Sequence, residues 1–78
     1  MTGMPRHDAG EAVAWHTPDG KPVSCVEKIK VMTQNFQELR QVMQDALEDA
    51  LLMGCDEGQV RREFARLTDS LENPYRTG

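Results

Sequence analysis

Apolar residues recur through the middle of the chain in alternating steps of four and three: Cys25, Ile29, Met32, Phe36, Leu39, Met43, Ala46, Ala50 and Met53. This spacing is a heptad seam held for about four heptads, and it predicts one long amphipathic helix over 24–53. Both ends are marked. Ser24 and Glu27 stand three apart as a capping box, in which the Ser24 hydroxyl accepts from the Glu27 amide and the Glu27 carboxylate reaches back to the Ser24 amide. Gly54 suits the left-handed position just past the last turn. Glu27, Gln34, Gln41 and Glu48 form a polar line opposite the seam. Toward the C-terminal end Val42, Leu47, Leu51 and Leu52 widen the apolar face, so that end needs cover from more than one side.

A second, shorter pattern follows. Val60, Phe64, Leu67 and Leu71, at steps of four, three and four, predict a helix over 57–72. Asp56 with Gln59 three residues later suits its cap, and Cys55 with Val60 suits a hydrophobic staple across that cap. Pro74 disfavours helical geometry at Asn73 and stops the helix before it. A linker of about three residues makes the two helices antiparallel neighbours. Folding the chain about Cys55 sets Val60 opposite Ala50, Phe64 opposite Ala46, Leu67 opposite Met43 and Leu71 opposite Leu39. These eight residues are the expected hairpin core. The fold class is therefore all-α: an antiparallel helical hairpin over 24–76, with an extended or β-hairpin-like arm over 1–23.

Within that arm, 1–10 carries Gly3, Pro5 and Gly10 without an apolar period, the composition of a flexible segment. Residues 11–16 alternate weakly, with Val13 and Trp15 on one side. Thr17-Pro18-Asp19-Gly20 then supplies the chemistry of a type I turn closed by a bulge, and Lys21, Pro22 and Val23 form a short return. Pro22 lacks a ladder donor and keeps that return at an edge. Trp15 is the largest apolar group outside the helices. Covering it is worth about 2 kcal/mol, so it is expected to dock on a helix face of its own chain or a neighbour's.

The two helices differ in length, about 43 Å against about 24 Å at 1.5 Å per residue. Cys25, Ile29, Met32 and Phe36 are thus expected to lack a partner within the hairpin and, with Trp15, to form a partner or dimer interface. The simplest closed solution is a two-fold homodimer whose four helices make a bundle. Charge biases its orientation. Lys28, Lys30 and Arg40 lie in the first half of the long helix against Glu27 and Glu38, whereas Asp45, Glu48, Asp49, Asp56 and Glu57 follow without a base. Antiparallel pairing brings these unlike halves together.

Composition narrows the function. With 78 residues the chain is one domain at most, of a size that struggles to enclose a core by itself. A net charge of −4 and no basic patch argue against nucleic acid or an anionic membrane as partner. Neither a secretory start nor a bilayer-length apolar run is present, and two widely spaced cysteines suit a reducing compartment, so a cytoplasmic protein is expected. Cys25 lies in the first turn of the long helix, where unpaired amides favour a thiolate, and Cys55 precedes the second helix. The long helix keeps them apart within one chain, while an antiparallel dimer brings Cys25 of one copy toward Cys55 of the other. Such a pair defines the alternative reading, a thiol- or metal-responsive regulator. His7, Asp8 and His16 have no ligand spacing, so no metal and no cofactor are expected. Glu48 and Asp49 are adjacent on a helix and point apart, and neither a nucleophile–base arrangement nor a phosphate-binding loop is present. These residues fit a small non-enzymatic interaction module, an adaptor, assembly factor or regulator, whose partner is itself or another protein.

Overall fold

The computed structural model describes residues 13–75, which form two helices, α1 (Val26–Leu52) and α2 (Glu57–Asp69), and no strand. The fold is all-α. Residues 1–12 and 76–78, and with them the segment expected to be flexible over 1–10, lie outside the described residues. The chain divides into two units, Met1–Met43 and Gln44–Gly78, with α1 running through both.

In the first unit the chain reverses at Thr17, Pro18, Asp19 and Gly20. The Gly20 N–H donates to the Thr17 carbonyl at 2.9 Å, the Thr17 N–H donates to Lys21 at 2.8 Å, and Gly20 has φ 89°. This is a four-residue turn whose fourth residue, Gly20, forms the bulge, and the positive φ is why glycine stands there. One antiparallel bridge joins His16 to Pro22, and the Val23 N–H donates to the Trp15 carbonyl at 2.9 Å. Pairing stops there. With Val23 held extended, α1 begins only after Cys25: its first bond runs from the Ile29 N–H to the Cys25 carbonyl at 3.0 Å. Cys25, not Ser24, therefore occupies the cap position, and the expected Ser24–Glu27 box is not made among the described residues.

In the second unit α1 closes as the residues require. The Cys55 N–H donates to the Ala50 carbonyl at 2.9 Å and the Gly54 N–H to the Leu51 carbonyl at 3.0 Å, with Gly54 at φ 89°. These two bonds define a Schellman motif, which satisfies carbonyls that the helix end would otherwise leave unpaired. Two residues on, Asp56 caps α2: its Oδ2 accepts from the Gln59 N–H at 2.8 Å. Glu57 pairs with Arg61 at 2.9 Å on the exposed first turn, a contact worth at most a few tenths of a kcal/mol in solvent. At the far end of α2 Ser70 is the C-cap: its N–H donates to the Arg66 carbonyl at 3.0 Å and the Leu67 carbonyl at 3.1 Å, and its hydroxyl donates to the Leu67 carbonyl at 2.7 Å. The Thr68 hydroxyl donates to the Phe64 carbonyl at 3.0 Å. The helix ends at Asp69 against an expected residue 72, and α1 spans 26–52 against an expected 24–53.

No described residue is buried. The half-buried positions of the second unit are Gln44, Leu47, Ala50, Val60 and Phe64. This corrects the expected core. Leu47 is half-buried where Ala46 is exposed, while Ala50 on the same seam stays half-buried. Leu71 falls beyond the end of α2 and is 72% exposed; Leu67, in its last turn, is 62% exposed, and Leu39 is also exposed. Met43 is half-buried, in the first unit.

These caps can be weighed by substitution. Gly54→Ala, which forces an L side chain into the left-handed region, is expected to lower the unfolding free energy by about 1–2 kcal/mol. Asp56→Ala should cost about 1 kcal/mol by loss of the cap, whereas Ser24→Ala should cost almost nothing. Urea unfolding followed by far-ultraviolet circular dichroism separates the three.

Candidate interaction surface

The one aromatic pair among the described residues lies in the first unit. Trp15 meets Phe36 of α1 with ring centroids 4.9 Å apart and planes inclined at 58°. That is the tilted geometry in which the positive edge of one ring approaches the negative face of the other. The turn makes this docking possible by folding the chain over so that Trp15 and Val23 sit on adjacent extended segments, joined by the Val23 N–H. Trp15, Val23, Ile29 and Met32 are all half-buried. The strip expected to lack a partner within the hairpin is partly covered by the Trp15 segment, and Trp15 takes the own-chain alternative of its two expected dockings. Phe36 keeps 38% of its surface exposed, and Cys25 is exposed.

Coverage is incomplete. An open groove of about 500 Å³ remains between the turn segment and the first turns of α1, with Trp15, Val23, Ile29, Val31 and Met32 as its apolar walls. His16, Glu27 and Lys28 also border it. Val31 is 52% exposed. Sequence periodicity placed Trp15, Ile29 and Met32 on this surface but not Val23 or Val31. Val31 lies off the heptad seam, and Val23 joins only through the backbone bond to Trp15, which the alternation Val13, Trp15 does not encode. The Trp15 Nε1–H is enclosed and has no acceptor among the described residues.

A second apolar surface lies where α1 ends. Leu52 is 87% exposed and Met53 80% exposed, immediately before the Schellman turn at Gly54. Asp45, Glu48, Asp49, Asp56 and Glu57 neighbour them in sequence, with no base among residues 45–57. Cys55 is exposed at the same turn.

No group of three or more His, Cys, Asp and Glu side chains among the described residues is placed to hold a metal ion, and of the histidines and acids considered as ligands, His7 and Asp8 lie outside the described residues. No helix among the described residues is long and apolar enough to cross a membrane. The chain matches no family model, no curated protein and no solved structure.

The turn supporting the groove carries a titrating group. The Thr17 hydroxyl donates to the Asp19 carboxylate, and the Lys21 N–H lies 3.5 Å from the same oxygen. These bonds, the hydroxyl first, hold the Asp19 carboxyl below its ordinary value of 3.8. A carboxylate lowered on folding stabilises the turn above its unfolded value, and that contribution disappears as pH falls through the lower folded value. The Gly20 and Lys21 amide resonances are therefore expected to move together on acidification, with a midpoint below 3.8, and Asp19→Asn should abolish the transition. Phe36→Ala tests the docking itself. It should shift the Trp15 fluorescence to longer wavelength and destabilise the first unit by about 1–2 kcal/mol while leaving most helix signal in place.

Proposed function

We propose that the chain is a small non-enzymatic interaction module, an adaptor, assembly factor or regulator, that associates through its helices, most simply as a two-fold homodimer in a bundle-like arrangement. The observation that carries this reading is the absence of any buried side chain among the described residues. A folded chain that leaves every large apolar group at least partly in water gains little from burial, and apolar area removed from water stabilises by about 25 cal/mol per Å² wherever the covering surface comes from. Val31, Leu39, Val42, Leu52, Met53, Leu67 and Leu71 are all about half or more exposed, an unusual density of aliphatic groups for the surface of so short a chain.

Sedimentation equilibrium of the full chain at several micromolar concentrations tests this. The expected result is a dimer whose unfolding midpoint rises with protein concentration, as mass action requires when only the folded state associates. A monomer at every concentration, unfolding cooperatively at a fixed midpoint, overturns self-association.

A further inference from the structure

Two apolar features lie at opposite ends of α1 and differ in kind: one is a groove, the other a projection. The groove, about 500 Å³, is walled by Trp15, Val23, Ile29, Val31 and Met32. Its volume falls in the range that takes a few side chains or a small ligand. The projection is Leu52 with Met53, 87% and 80% exposed. Unbranched methionine beside leucine is suited to filling an irregular cleft. Charge distinguishes the two ends as well. At the groove Glu27 and Lys28 border the opening and Lys30 follows, a mixed end with one more base than acid, whereas Asp45, Glu48, Asp49, Asp56 and Glu57 surround the projection in sequence with no base between them.

We infer that the occupant of the groove is the Leu52–Met53 projection of a second copy of this chain, with Lys28 and Lys30 of one copy set against the acidic segment of the other. This rests on the self-association proposed above and names its contact. The arrangement is reciprocal. Because each copy carries both features, one two-fold operation fills both grooves and leaves no free end, so association stops at the dimer rather than running on into a filament. The unlike charges fix the antiparallel direction, since parallel pairing sets the acidic segments against each other. The same operation brings two exposed thiols near each other, Cys25 just before the groove residues of α1 and Cys55 two residues beyond Met53.

Those thiols report on the contact without alteration of the chain. The full-length protein is treated with diamide, which takes up the two electrons and two protons released as each S–S bond forms. Products are separated by non-reducing electrophoresis and the cross-linked peptides identified by mass spectrometry. The expected result is a species of dimer mass joined by Cys25 to Cys55 links. Predominant Cys25–Cys25 or Cys55–Cys55 links, or a dimer in sedimentation that yields no link, overturn the groove contact while leaving self-association standing. A monomer in sedimentation removes both. A second arm replaces Leu52→Asp and Met53→Asp together. The dimer dissociation constant should rise about a hundred-fold or more with helix content retained, because both side chains are solvent-exposed in the single chain. Tyr75→Asp, 88% exposed and outside both features, should leave the constant within about three-fold. Equal loss in the two variants overturns the assignment.

Discussion

A helix of 13 residues cannot match one of 27. At 1.5 Å per residue α1 is about 40 Å long and α2 about 20 Å, and the apolar seam of α1 extends along nearly its whole length. Everything else about the chain follows from that inequality. The turn segment ahead of α1 sets Trp15 against Phe36, and the segment after it folds back at Gly54, so that each unit acquires a few half-buried groups and neither encloses one. A unit of about forty residues or fewer has too little interior to exclude water on all sides of a side chain.

The polar punctuation of the chain was the part most legible in its sequence. Gly54 and the reversal at Thr17, Pro18, Asp19 and Gly20 depend on positive φ and short side-chain bonds, which a handful of adjacent residues determine. The Asp56 cap is equally local, needing only its own carboxylate and the Gln59 amide. Ser24 misled for an instructive reason. It has the right residue three positions later, but the first helical bond runs from the Ile29 N–H to the Cys25 carbonyl, which puts the cap one residue farther on.

Packing was legible only in outline. A seven-residue repeat identified α1, yet the half-buried residues of its second half include Leu47 and not Ala46, since cover is decided by which side of a real helix meets its neighbour. The candidate surface divided in the same way. Trp15, Ile29, Met32 and Phe36 could be placed by apolar spacing, whereas Val23 and Val31 enter the groove because of where the turn sets the backbone. The expectation that Leu67 and Leu71 would pack assumed a helix that continued to residue 72. The helix ends at Asp69, with Ser70 as its C-cap, and Leu71 lies beyond it.

The enclosed Trp15 Nε1–H bears on how long the docked state of its segment lasts. A donor shut away from water without an acceptor costs about 1–3 kcal/mol, set against an aromatic contact and partial burial of similar size. The balance at this one ring is close to level, and undocking restores the indole's hydration at once. The backbone bonds that pair the turn, Thr17 to Lys21 and Val23 to Trp15, do not involve the ring, so the pairing of the turn and the docking of the indole are separate contributions to the groove wall.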